Sequence, residues 1–171
     1  MLRRILILLV FLAAIPRLEA RASPDEDQAL KAANESFRLA YYERAEKDFG
    51  DFVARFTNST HLAEAILLQA ESRLKQSNFA GAISLLITNF ASAGTWGDHY
   101  LYSLGQAHIG LNSFDKAAEA FGRIAREFPN SNSRIDASFQ EARLPDQSRL
   151  PRMRLPRTRS GGWLLAARLE R

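Results

Sequence analysis

The chain has 171 residues, 23 basic and 19 acidic side chains, a formal net charge of +4, 46% hydrophobic residues and no cysteine. That is enough apolar content for one ordinary domain with a true core, and the missing cysteine excludes disulfides, thiolate metal sites and a lipid-modified cysteine. The charge is uneven: residues 1–24 hold four arginines and one glutamate, residues 25–143 twelve basic and sixteen acidic groups, and residues 144–171 seven arginines and two acids. The middle is therefore mildly acidic, which argues against a nucleic-acid footprint across the domain.

Met1-Leu-Arg-Arg4, the apolar run Ile5 to Ile15, Pro16 and Ala20-Arg-Ala22 have the layout of a secretory signal peptide over residues 1–22, with cleavage expected after Ala22. Eleven apolar residues are too few for a stable membrane span. The expectation is an exported, periplasmic protein that is not lipidated.

Ser23-Pro-Asp-Glu-Asp27 places its acids where a helix N-terminus favours them. The first helix is expected to run to about Leu39 and the second from about Tyr42 to Phe56; a second pair takes His61 to about Lys75 and Phe79 to about Phe90. Its exit, Ala91-Ser-Ala-Gly-Thr95, lacks a proline.

The third pair is the most regular. Leu101, Leu104, Phe114, Phe121 and Ile124 recur at helical steps, and Gly105 and Ala117 are small enough to sit where two helices cross. In the connecting turn, Gly110 is expected to take the left-handed conformation, with Asn112 or Ser113 capping the next helix. Pro129 ends the pair, and Ser133 to Arg143 restarts a first helix.

The pattern repeats. Tyr42-Glu-Arg-Ala45 with Phe49, Phe79-Ala-Gly-Ala82 with Leu86, and Phe114-Asp-Lys-Ala117 with Phe121 correspond, at alanine steps of 37 and 35 residues. Arg55-Phe-Thr-Asn-Ser59 echoes Glu127-Phe-Pro-Asn-Ser131. The spacing of Leu101, Leu104, Gly105, His108, Ala117, Phe121 and Pro129 resembles the tetratricopeptide repeat, whose period is about 34 residues, with His108 where an aromatic is usual. The expected fold is all-α: a right-handed α-solenoid of antiparallel helix hairpins, with repeats at about 26–59, 61–95 and 97–131 and a partial fourth at 133–143. The matching endings are similar to periplasmic repeat proteins of bacterial envelopes, of the Tol–Pal-associated cell-division coordinator and outer-membrane assembly lipoprotein types. The coiled-coil start of the former and the lipidated cysteine of the latter are absent here, so neither specific role transfers.

The resemblance implies a binding groove lined by the first helix of every hairpin. Carried over residue by residue, it comprises Leu30, Asn34, Phe37 and Arg38; Glu64, Leu67, Glu71 and Leu74; and His99, Tyr102, Gln106 and Ile109. This mixture suits an apolar or mixed peptide of a protein partner, whereas a clamp for a C-terminal carboxylate would need lysines and asparagines, of which Asn34 alone matches. Leu30, Phe37 and Leu67 have a second reading, as packing against the adjacent repeat.

No catalytic constellation, phosphate loop or metal-ligand set is found, so neither cofactor nor enzymatic activity is expected. His99 and His108 are half a turn out of phase and cannot share a metal, and His61 opens another helix. Residues 144–171 carry three prolines before Arg159 and almost no acid. Such a stretch is expected to be disordered. It reads as a basic tail touching anionic lipid, as a plain solvated end, or as sequence following a lost reading frame. The function expected is a non-catalytic interaction scaffold of the bacterial envelope. The alternatives are a helical accessory module of a larger envelope enzyme system and a membrane-surface binder acting through the tail.

Overall fold

A computed structural model describes residues 23–144; the expected leader over 1–22 and the tail beyond Leu144 fall outside the described residues. The described chain forms seven α-helices: α1 Pro24–Arg38, α2 Tyr42–Arg55, α3 Leu62–Lys75, α4 Phe79–Asn89, α5 Gly97–Gly110, α6 Phe114–Glu127 and α7 Ser133–Arg143. Two 3-10 turns, Phe90–Ser92 and Gly94–Trp96, join α4 to α5. There is no strand among the described residues.

Each helix packs on the next, giving three antiparallel hairpins and an unpaired seventh helix. The first helices also touch one another in sequence, α1 with α3, α3 with α5 and α5 with α7, whereas the second helices meet at most marginally. The stack is thus closed up on the side of the first helices, which makes that side the concave one.

Local chemistry explains the helix ends. At α1 the Ser23 hydroxyl accepts from the Glu26 amide at 3.1 Å, Pro24 occupies the first turn, and Asp25, Glu26 and Asp27 face the positive end of the helix dipole. The three hairpin turns share one geometry. Ala40 (φ 61°), Ser77 (φ 61°) and Asn112 (φ 55°) are left-handed, and the amide one residue later donates back to the carbonyl five residues before it: Tyr41 to Ser36, Asn78 to Arg73 and Ser113 to His108. These positions recur at 37 and 35 residues, in step with Ala45, Ala82 and Ala117. The expectation for Gly110 is corrected here: it ends α5 in helical conformation, and Asn112 takes the left-handed position. A Cβ on Gly110 would lie 2.5 Å from the Phe79 ring, so close packing is what requires glycine there. Left-handed backbone costs an L-residue such as alanine about 1–2 kcal/mol. Ala40→Gly should therefore raise stability, by about 0.5–1 kcal/mol after the extra unfolded-state freedom of glycine, read as a higher midpoint in urea.

The repeated endings have a shared bond pattern. Ser59 donates its hydroxyl to the Glu26 carboxylate and accepts from the His61 amide; Ser131 does the same with Asp98 and the Ser133 amide. Each serine ties the end of a hairpin to the start of its own first helix and opens the next one. In the second hairpin the corresponding positions hold Trp96 and Ala63, which can form no such bond. The two 3-10 turns, with Gly94 at φ 53°, fill that exit, and the Tyr100 hydroxyl donates to the Ala63 carbonyl at 2.9 Å.

Three apolar clusters follow in chain order, and each is closed by a residue from the first helix of the unit that follows it, a hairpin for the first two and the unpaired α7 for the third. Ala65 completes the cluster of Phe49 and Phe52, Tyr100 that of Leu67 and Leu86, and Ala137 that of Leu101, Phe121 and Ile124. Ala33, Ala70 and Gly105 occupy equivalent crossing positions and are all buried. Every hairpin therefore has an apolar face that only its neighbour covers, as in a linear repeat stack. Ile135 and Phe139 on α7, which has no second helix beside it among the described residues, stay 73% and 62% exposed.

Candidate functional site: the groove between α3 and α5

Helical spacing decides which side chains face the concave side. On α3, Glu71, Leu74 and Lys75 lie at steps of three and four; on α5, Tyr102, Ser103 and Gln106 do the same. With Phe79, the first residue of α4, they enclose a cavity of about 390 Å³. Glu71, Leu74, Tyr102 and Gln106 are thus brought together as the resemblance implied, while Lys75, Phe79 and Ser103 complete the walls.

The other expected groove residues are distributed differently. Leu67 is buried at 3% exposure in the second cluster, which Tyr100 of the next hairpin closes, so it leaves the groove set. Its alternative reading, as inter-repeat packing, is the structural one. Leu30 and Phe37 are half-buried against the first cluster. Asn34 is exposed, and Arg38 is held in a two-point pair with Glu35 at 2.7 and 2.8 Å. Glu64 lies 3.2 Å from the His61 ring. His99 is exposed beside Trp96, and Ile109 packs on the third cluster. None of these eight lines the α3–α5 cavity.

The walls are fixed from behind. Tyr102 sets its ring edge-on against Phe121 at 5.6 Å, and Leu74 rests on the second cluster. The floor is polar: the buried Ser103 donates its hydroxyl to Glu71 at 3.2 Å. Burial raises the Glu71 carboxyl above its ordinary 4.5, opposed in part by the Ser103 hydrogen bond and by His99 and Lys75 nearby. The folded state then holds its proton more tightly than the unfolded chain does. This contribution to stability is fully present below pH 4.5 and is lost as pH rises through the folded value. Glu71→Gln should accordingly melt at a higher temperature than the parent at pH 7, with the gap closing as the pH is lowered past 4.5. Parallel melts across that window check the sign.

His108 behaves as a packing residue. It is 8% exposed, and its Nδ1 has no hydrogen-bond partner among the described residues. Burial lowers its pKa, Lys116 adding to the effect and Glu119 opposing it, so the ring stays neutral at pH 7. Among the described residues no group of three His, Cys, Asp or Glu side chains could hold a metal ion, and no helix is long and apolar enough to cross a membrane.

A larger cavity, about 530 Å³, lies at the α1–α2 turn, between Ala40–Arg44 and Gln76. It is a notch beside a structural clamp. Gln76 donates to the Tyr42 carbonyl and to Glu46, which also pairs with Arg73 at 2.8 Å. Gln76, Glu46 and Arg73 are committed to joining the first two hairpins, whereas Glu71 on the floor of the α3–α5 groove has one carboxylate oxygen with no hydrogen bond among the described residues.

A curved stack of antiparallel helix pairs, with a groove on its first helices, defines a helical-repeat α-solenoid. Residues 100–131, from within α5 through α6, match the family model described as tetratricopeptide repeat. The third hairpin is thus similar to such a repeat, and the first two share its turns and its core positions. Tetratricopeptide repeats mediate protein–protein interactions. No curated protein matches the chain.

Proposed function

We propose that this protein is a non-catalytic scaffold that captures an extended segment of a protein partner in the groove between α3 and α5. The observation that carries the reading is the groove itself: an open cavity with apolar walls of Leu74, Phe79 and Tyr102, of which Leu74 and Tyr102 rest against the core and Phe79 against Gly110, over a polar floor. A preformed surface of this kind lowers the ordering cost on the protein side, and the partner's own chain entropy then limits affinity. As part of the same proposal, the protein acts in the bacterial envelope after export, a reading supported by the leader-like pattern of residues 1–22. Amino-terminal sequencing of the exported protein would show Ser23 first if it holds, and Met1 if it does not.

A phage-displayed random peptide library provides the test. Peptides selected on the chain should lose about ten-fold or more in affinity with Tyr102→Ala, a change expected from removing a central aromatic contact. Because the ring also packs edge-on against Phe121, that variant should lose about 1 kcal/mol of stability as well. Gln106→Ala, outside the core clusters, keeps binding loss separate from stability loss. Tyr41→Ala, in the α1–α2 notch, should bind as the parent does. Selected peptides that ignore Tyr102 and Gln106 but need Tyr41 would overturn the groove reading.

A further inference from the structure

The polar floor narrows what the groove can hold, given that it is a docking site at all. Glu71 sits between two helices with one oxygen bonded by Ser103, and among the described residues no lysine, arginine or histidine nitrogen comes within 4 Å of it. Lys75, one turn along α3, and His99, on α5, act on it from further off, and both are exposed. An unpaired carboxylate in this position is tolerated while water reaches it. A purely apolar segment lying across the cavity would remove that water and leave the charge buried without a partner, which is strongly unfavourable.

A lysine or arginine side chain solves both demands. Its hydrocarbon stem can lie along Leu74, Phe79 and Tyr102 while its head reaches the carboxylate, the way long basic side chains cover apolar surface and keep their charge satisfied. Gln106 on the rim offers an amide to the backbone of an extended chain. We infer that the groove's occupant is an extended segment of another protein carrying a lysine or arginine that pairs with Glu71, next to an apolar residue that rests on Phe79 and Tyr102.

The inference rests on the groove reading, and one experiment separates them. A random dodecapeptide library on phage is selected in parallel on the full chain, on Glu71→Gln and on Glu71→Lys, each first shown by melting to be folded. Peptides from the parent should be enriched in a lysine or arginine beside an apolar residue, and should bind Glu71→Gln about ten-fold or more weakly, the usual size for losing a charged hydrogen-bond partner. On Glu71→Lys the enrichment should invert to aspartate or glutamate. Parent-selected peptides that need Tyr102 but show no basic preference, or that bind Glu71→Gln equally well, would overturn the inference and leave the groove standing. A selection yielding only peptides indifferent to Tyr102 and Gln106 would remove both.

Discussion

Phe121→Ala should lower the unfolding free energy by about 3–5 kcal/mol, the usual cost of emptying an aromatic site in a core. The ring is fully buried, lies against Gly105, meets Tyr102 edge-on, and shares its cluster with Leu101, Ile124 and Ala137. It therefore joins three helices, α5, α6 and α7. In a linear stack the loss should stay local, because each hairpin contacts only its neighbours. Amide hydrogen exchange should show α5, α6 and α7 losing protection well before α1 and α2, and the urea midpoint should fall. A midpoint shift equivalent to under about 1 kcal/mol, outside the range for such a site, would mean that Phe121 does not hold the third hairpin together.

Gly105→Val sets two effects against each other. Helix propensity favours valine over glycine by a few tenths of a kcal/mol. Packing opposes it: a Cβ at position 105 would stand 2.5 Å from two atoms of the Phe121 ring, which is walled in and cannot swing aside. Overpacking of this kind costs about 1–3 kcal/mol, so the variant should be destabilised overall. The cause can be isolated. In a Phe121→Leu background the clash is relieved, and Gly105→Val should then be close to neutral; a double-mutant cycle would read the difference as coupling between the two positions. Equal losses in both backgrounds would place the cost somewhere other than the α5–α6 crossing.

Both sites were legible in the sequence, since the repeat of small and large apolar residues at 37 and 35 residues marks the crossings without any coordinates. The helix limits follow as well, within a residue or two, because proline, acidic first turns and the Phe-x-Asn-Ser endings punctuate the chain. What stayed hidden depends on contacts between segments distant in sequence. Gly110 reads as a turn glycine by composition, yet it is helical, and what requires glycine there is the Phe79 ring of another hairpin, which leaves no room for a Cβ. Leu67 lies on the same stripe as groove residues, and only the arrival of Tyr100 from the next hairpin decides that it is core.

The groove was legible in part for the same reason. Glu71, Leu74, Tyr102 and Gln106 are positions the repeat resemblance implied, and helical phase sets each pair on one face of its own helix. Phe79, Ser103 and Lys75 join them only once α3 and α5 lie side by side, and the loss of water around Glu71 that raises its pKa is a property of that contact alone. No periodicity within one helix records it.

The cysteine-free chain permits a direct measurement of where a partner lies. Single thiols are introduced as Gln106→Cys in the groove and Glu119→Cys on the exposed side of α6, and their rates of reaction with a thiol reagent are compared with and without a saturating library-selected peptide. Capture between α3 and α5 predicts that the thiol at 106 is slowed at least ten-fold while the thiol at 119 keeps its rate, that factor being roughly 1.4 kcal/mol of protection. Protection at 119 with an unchanged rate at 106 would contradict the account.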